Sequence, residues 1–469
     1  YVLPETVSDL PPVSGILTAG EGNPLSHVQL LARNLGIPNV TVAADLVRRL
    51  KAFDGEEIVL AVSHSGLVEI ARWGDRWTQV FQARDSGEGV VIRPDLEKLD
   101  LDVREFLSLD GLRATDSGRT VGPKAAKLGE LRRHYPGQVS RGVAIPFGLF
   151  RQHALERKRP GHAGTVWDWM VESYAGLSAM EQGSPAHAKA AEAFRAELYE
   201  TILNTPLSEG FRNDLQQSLE AAFGDQDLPG LFVRSDTNVE DLAGFTGAGL
   251  NLTLPNVVGF DNLVAAITRV WASPFTARAF GWRQSHMTAP EHVYTSILLL
   301  ESVASDKSGV LVTQDIDNGH SGVISVAVNE GLGGAVDGQA AESLRIDLET
   351  GAVRVLATAT APRRRVPDPE GGLIRLPSSG SDVVLQAAEI RQLIDFAQHL
   401  PDRFPPIVDD QGNPAPADVE FGFLDGDLRL FQLRPFLDSR MTGGIAYLHQ
   451  MDASLRDSHK VRVNMEETP

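Results

Sequence analysis

Apolar residues fall along this chain in two alternating patterns, short runs and helical stripes. Near the N-terminus, residues 13–18, 39–42, 57–62 and 66–70 are apolar runs of strand length. Between the first two, Val28, Leu31, Ala32 and Leu35 recur at helical spacing. Ser26 and Gln29 form an S-x-x-Q capping box ahead of that stripe, and Gly36 with Pro38 closes it. A helix is therefore predicted to begin just after Ser26. Residues 1–95 read as a compact β/α unit.

From residue 82 to 119 the composition shifts to charge, Gly and Ser, with one short amphipathic piece at 103–109. This predicts a connector, with residues 96–119 as a flexible linker. A strand-and-helix region then opens at Thr120. Residues 150–225 are rich in Ala, Glu and Leu at helical period, so helices are predicted there. Strand-like runs return at 231–233, 294–300, 309–313 and 323–328. A helical stretch near 382–399 precedes a final hairpin around Asp425-Gly426. Residues 120–438 thus form a second domain. The polar end, 439–469, reads as a C-terminal tail or a docking helix. The whole is an α/β multidomain chain without internal repeats.

Composition narrows the partners. A formal net charge of −19 over 469 residues argues against a nucleic-acid backbone partner, which requires a basic face. A nucleotide would need local positive charge set against that field. There are no cysteines, hence no disulfides and no thiolate chemistry. No apolar run approaches the length of a membrane span, and no signal peptide is visible, so a cytoplasmic protein is expected. The chain opens at Tyr1 on what reads as mid-domain sequence, so further residues are expected upstream.

Candidate chemistry sits in five places. His27 falls in the first turn of the capped helix, beside unpaired backbone N–H groups and the positive end of the macrodipole, a setting that favours an anion. Gly122 gives a tight turn and Lys124 follows it into a helix, a placement suited to reaching phosphates. In Leu231-Phe-Val-Arg-Ser-Asp-Thr-Asn-Val-Glu240, a buried strand is predicted to end at Arg234, whose guanidinium suits bidentate phosphate contact. Glu240 and Asp241 follow, then a Gly244–Gly249 stretch that lets backbone amides approach an anion. Residues 300–303, with Glu301 and Val303, offer hinge backbone groups to a purine, and Glu330-Gly-Leu-Gly-Gly334 makes another glycine loop.

The fifth place is the hairpin Asp418-Val-Glu-Phe-Gly-Phe-Leu-Asp-Gly-Asp-Leu-Arg-Leu-Phe-Gln-Leu-Arg-Pro435. Strand alternation puts Asp418 and Glu420 on one face, and Gln432 and Arg434 on one face of the next strand. A two-residue loop at Asp425-Gly426 would pair Glu420 with Phe431. A three-residue loop would instead set Glu420 beside Gln432 and gather carboxylate, amide oxygen and guanidinium in one patch. The three-residue register is predicted. Hard oxygens of this kind suit Mg²⁺ carrying a triphosphate.

Taken together, these motifs resemble the dikinase family that includes phosphoenolpyruvate synthase, pyruvate, phosphate dikinase and the glucan, water dikinases. Leu25-Ser-His-Val-Gln-Leu-Leu-Ala-Arg33 resembles the phosphohistidine motif of the family. Val121-Gly-Pro-Lys-Ala-Ala-Lys-Leu128 and the Arg234 segment resemble its early ATP-site motifs, and Asp418-Val-Glu420 with Gln432-Leu-Arg-Pro435 its closing motif. The resemblance implies a small swivelling phosphohistidine domain followed by an ATP-grasp nucleotide-binding domain. It implies His27 as the phosphorylated residue, Lys124, Arg234, Glu301, Val303, Gln432 and Arg434 at the nucleotide, and Glu420 and Gln432 on Mg²⁺. Pro123 and Glu301 depart from residues common in the synthase branch. The order of domains is similar to that of the glucan, water dikinases.

The resemblance further implies ATP-dependent phosphorylation of His27 by the β-phosphate with release of AMP, then transfer to an acceptor. A glucan, bound by a domain upstream of this chain, is the leading expectation. A phosphoenolpyruvate-synthase-like enzyme acting on pyruvate or another small acceptor is the alternative, and a nucleotide-binding regulatory module without turnover is a third. No nucleic acid and no membrane partner is expected.

Overall fold

The computed structural model describes residues 2–3, 13–19, 23, 25–26, 29, 32, 37–63, 65–82, 93–224, 228–240, 252–381, 383–409, 412–437 and 445–458. His27, Asp241 and the 244–249 glycine stretch lie outside the described residues.

In the first unit, β1 (Val2–Leu3), β2 (Ile16–Thr18) and β3 (Asn39–Thr41) form a parallel sheet, with Leu17 opposite both Val2 and Val40. Gln29 and Ala32 are helical, and the Ser26 hydroxyl accepts the Gln29 N–H at 3.5 Å, as its place in the capping box requires. The helix Ala44–Leu50 follows β3 and places Leu50 with Leu17 and Val42 in one core. An antiparallel hairpin, β4 (Ile58–Val62) and β5 (Val68–Arg72), leads into the helix Asp75–Gln82. Trp77 from that helix is 1% exposed and packs on Val59 and Ala61. The polar C-terminal stretch returns to this unit as a helix, Ala446–Ser458. Its Tyr447, Leu448 and Met451 pack on the Trp77 cluster, and the Tyr447 hydroxyl donates to Glu69 at 2.6 Å.

The second unit holds two antiparallel sheets. The first combines β6 (Leu107–Ser108), β7 (Gly142–Ile145), β8 (Leu231–Thr237), β9 (Thr253–Val257) and β10 (Thr295–Glu301) in the order β6-β7-β10-β8-β9. The next elements are β11 (Lys307–Val312), β12 (Val323–Glu330), β13 (Glu342–Asp347) and β14 (Val353–Ala357). A separate hairpin follows, β15 (Arg363–Pro367) with β16 (Leu373–Pro377), and then β17 (Ala417–Leu424) and β18 (Asp427–Pro435). The larger sheet runs β14-β13-β12-β11-β17-β18. The helical 150–225 region is present as helices Val166–Ser178, Pro185–Leu203 and Glu209–Phe223, two of them opened by Ser N-caps and one by a Thr165 capping box.

Alternation within the strands sorts side chains to two cores. Val233, Ile297 and Leu299 face the helices, with Leu215 and Trp271. Leu298 and Leu300 join the other core, formed with the helices Pro123–His134 and Ala387–Arg403 and with Ile324, Phe421 and Leu430 of the larger sheet. Arg234 and Phe232 therefore face the larger sheet.

Three expectations are corrected. Residues 96–119 are built into the fold, not a flexible linker. Leu107 pairs with Ala144, Leu109 and Leu112 are 0% and 3% exposed, and the charged neighbours close turns, as in the Arg113 N–H bond to Asp116 at 2.9 Å. Two buried leucines and a half-buried third, Leu107, outweigh the polar composition around them. Strand β8 also does not end at Arg234. It continues to Thr237, because polar Ser235, Asp236 and Thr237 still pair with β10.

The third correction concerns the last hairpin. Its turn is the tight one: Leu424 pairs with Asp427, with Asp425 and Gly426 at φ of 53° and 82°, the left-handed pair that a two-residue type I′ turn requires. Glu420 nonetheless lies opposite Gln432, and Asp418 opposite Arg434, because the register slips between Glu420 and Phe421. Phe431 is the extra residue of a β-bulge. The predicted pairing stands, and the bulge, not the loop, produces it.

Candidate active site

A cavity of about 520 Å³ opens between the two sheets, within the range of small-molecule sites. One wall is Phe232, Arg234 and Leu300, and the opposite wall is Gly309, Glu420, Phe421 and Phe431. The glycine loop after β12 contributes Leu332, Gly333, Val336 and Asp337, while the β15–β16 hairpin contributes Arg365 and Leu373. Apolar walls with a few charged groups among them suit a flat base carrying an anionic tail.

Arg234 is one of these charged groups. It is 8% exposed, and its fork reaches three groups of the last hairpin. Nη1 donates to the Phe431 carbonyl at 2.8 Å, and Nη2 donates to Gln432 Oε1 at 2.7 Å and to Glu420 Oε2 at 3.3 Å. The Phe431 carbonyl is available because the bulge takes that residue out of the ladder with β17. The bulge thus supplies both the Glu420–Gln432 pairing and an acceptor for the guanidinium.

Lys124 lies in a second cluster at the start of the Pro123–His134 helix. Its ammonium pairs with Glu240 and donates to the Ser235 carbonyl at 3.0 Å, and it does not line the cavity. The N-terminal amides of this helix are not left for a phosphate. Both Asp236 oxygens accept them, from Lys124 N and Ala125 N, each at 2.9 Å. A carboxylate there complements the helix dipole. Burial pushes the Glu240 carboxyl up, to about 7, with Lys124 opposing the rise and Asp236 adding to it.

The other candidates are dispersed. Arg434 donates to Asp418 at 2.7 Å, both side chains being buried, and neither lines the cavity. Glu301 pairs with Arg141 at 3.3 Å. By alternation it shares the helix-facing side of β10 with Leu299, so Leu300 reaches the cavity and Glu301 does not. Val303 is 9% exposed and lies off the lining as well.

Sequence reasoning missed Asp236, although alternation from Arg234 put it on the same side of β8. It also missed Arg365, whose guanidinium pairs with Asp337 on the cavity rim. Arg365 stands on a short strand of exposed and half-buried residues, which carries no apolar signal.

No group of three or more His, Cys, Asp and Glu side chains gathers as a metal cluster among the described residues. The Glu420 carboxylate and Gln432 amide oxygen are nevertheless hard donors that share one cation, the Arg234 guanidinium. That pair fits Mg²⁺, which takes one or two protein oxygens and leaves its other positions to phosphates and water. Among the described residues no helix is long and apolar enough to cross a membrane.

Comparison with known proteins identifies the family. Residues 118–443 match the pyruvate phosphate dikinase AMP/ATP-binding domain, and residues 1–64 match the mobile domain of PEP-utilising enzymes. A probable phosphoenolpyruvate synthase of Methanothermobacter thermautotrophicus is 24% identical over 322 residues, 67% of this chain and 43% of that protein. A rifampicin phosphotransferase of a Streptomyces species is 26% identical over 319 residues, 67% of this chain and 34% of that protein. The phosphoenolpyruvate synthase of Neisseria meningitidis serogroup B is 30% identical over 233 residues, 48% of this chain and 27% of that protein. The chain spans less than half the length of each of these relatives. With an ATP-binding domain of this type over most of its length, the chain belongs to the dikinase family, related to phosphoenolpyruvate synthase and pyruvate phosphate dikinase.

Proposed function

We propose that this chain is the nucleotide-binding and phosphohistidine part of a dikinase-type phosphotransferase, in which ATP phosphorylates His27 and the phosphohistidine passes the group to an acceptor. The observation that carries the reading is the Arg234 fork held at the cavity wall by Glu420, Gln432 and Phe431. A buried, pre-aimed guanidinium beside two hard oxygens suits a polyphosphate.

In this reading an imidazole nitrogen of His27 attacks the β-phosphorus of ATP. The N–P bond forms, the bond from that phosphorus to the α,β-bridging oxygen breaks, and AMP leaves with the oxygen. Water or inorganic phosphate then removes the γ-phosphoryl group, and an acceptor oxygen takes the remaining one. Arg234 holds the polyphosphate, and Lys124 and Arg434 would add positive charge on release from Glu240 and Asp418. Glu420 and Gln432 would hold Mg²⁺, which supplies further neutralisation of phosphate charge. The 300–303 segment borders the base, with Leu300 its cavity residue and Glu301 and Val303 behind it. Residues 1–95 act as the swivelling unit and 120–438 as the ATP-grasp unit.

The acceptor reading favoured here is a small molecule such as pyruvate. The relatives above are named for phosphoenolpyruvate and for rifampicin, both small compounds, and neither name is that of a glucan enzyme. The test is product analysis. Incubation with ATP should yield AMP and a protein-bound phosphoryl group that pyruvate discharges and a glucan does not. ATP binding without AMP would mark a regulatory module, and discharge by glucan alone would restore the polysaccharide reading.

A further inference from the structure

The nucleotide unit has a small apolar core flanking its larger sheet, and one of its side chains comes from the other unit. Val310, Val312, Ile316, Ala335 and Phe436 surround Leu25, which is 1% exposed. Two positions before it, Asn23 is 3% exposed, and its Nδ2 donates to the Ala335 carbonyl at 2.8 Å. Its other amide atom, Oδ1, accepts the Leu25 N–H at 3.0 Å, and its carbonyl accepts the Ser26 N–H at 3.0 Å. One asparagine side chain therefore shapes its own turn and bonds to the opposite unit.

What Leu25 and Asn23 touch is the back of the nucleotide cavity. Ala335 is 0% exposed and belongs to the loop between Gly331 and Gly338. Gly333, Val336 and Asp337 of the same loop line the cavity, and the Asp337 N–H closes onto the Gly333 carbonyl at 3.0 Å. The loop presents one side to the cavity and the other to a segment that leads, two residues later, to His27. Among the described residues this seat is one leucine and one hydrogen bond, small enough to suit a unit that must also leave.

We propose that Asn23 and Leu25 are positioning residues that seat the His27 segment on the 331–338 loop for phosphoryl transfer from the nucleotide. They act through His27 and touch no reacting atom. The inference rests on the phosphohistidine reading above, and its test separates the two.

The chain has no cysteine, so a dye pair on Asp45→Cys and Glu349→Cys, both exposed, reports seating by energy transfer without reference to chemistry. Leu25→Ala and Asn23→Ala should lower transfer efficiency and slow labelling of the protein by ATP, by at least about tenfold for a truncated buried leucine. Nucleotide affinity and discharge of already labelled protein by its acceptor should stay within about twofold, a split that general destabilisation does not give. Leu25→Met should retain both seating and labelling, and guards against loss through misfolding. Unchanged transfer efficiency, or unchanged labelling, in Leu25→Ala overturns the inference. If the wild type itself takes no label, the phosphohistidine reading fails, and the dye pair alone decides whether these residues seat the unit.

Discussion

Gly122 and Asp236 approach so closely that no side chain fits between them: a Cβ on Gly122 would stand 2.3 Å from Asp236 Oδ1. The φ at Gly122 is −77°, so space, not backbone conformation, demands the glycine. Gly122→Ala should push Asp236 off the Lys124 and Ala125 amides and cost about 1–3 kcal/mol, the range for overpacking a filled site. Chemical denaturation measures the loss, and calorimetry should show ATP affinity falling with it. An alanine variant of wild-type stability would contradict this role.

Arg234→Lys separates charge from geometry. Lysine keeps the charge but cannot bond Phe431, Gln432 and Glu420 as one fork. ATP binding should weaken by about 10–100-fold, equivalent to roughly 1.4–2.8 kcal/mol. Titration calorimetry on folded protein decides it. Full affinity in the lysine variant would mean that only charge matters at this wall.

Glu240 gives a pH signature. Its carboxyl is raised from 4.5 to about 7 in the folded protein, so the folded state holds the proton more tightly than the unfolded one. Its contribution to stability is full below pH 4.5 and is lost as pH rises to 7. Its size is of the order of a few kcal/mol at roughly 1.4 kcal/mol per pKa unit. Glu240→Gln, which does not titrate, should flatten the stability profile across that window. Parallel profiles for the two proteins would rule the shift out.

The last hairpin offers a test of its bulge. Deleting Phe431 removes the bulge but leaves Gln432 opposite Glu420 and Arg434 opposite Asp418, because the tight turn already sets that register for the shortened strand. It takes away the carbonyl to which Arg234 Nη1 donates, so nucleotide binding should weaken. Gly426→Ala at the turn, where φ is 82°, should cost only about 1–2 kcal/mol for the left-handed conformation and leave binding in place. Unchanged binding in the deletion variant would show that the Phe431 carbonyl is not what holds Arg234 in place.

These cases show what the sequence could and could not disclose. The Glu420–Gln432 pairing was legible because two strands with a turn between them admit few registers, and only one collects compatible groups. The bulge was not, since nothing in Leu430-Phe431-Gln432 marks which residue drops out of the ladder. Leu109 and Leu112 hid within charged sequence, where composition over a window outvotes single buried leucines. Arg234 was singled out for its type, but its mid-strand position depended on polar residues that pair like apolar ones. Leu25 read as part of a loop, and its burial depends on a surface from sequence some three hundred residues away.

The most direct measurement is the fate of the β-phosphate of ATP on the full chain. With [β-³²P]ATP, the account predicts an acid-labile label that maps to the peptide containing His27, forms together with AMP, and is absent from His27→Ala. An acid-stable label, or equal labelling of the His27→Ala protein, would contradict it.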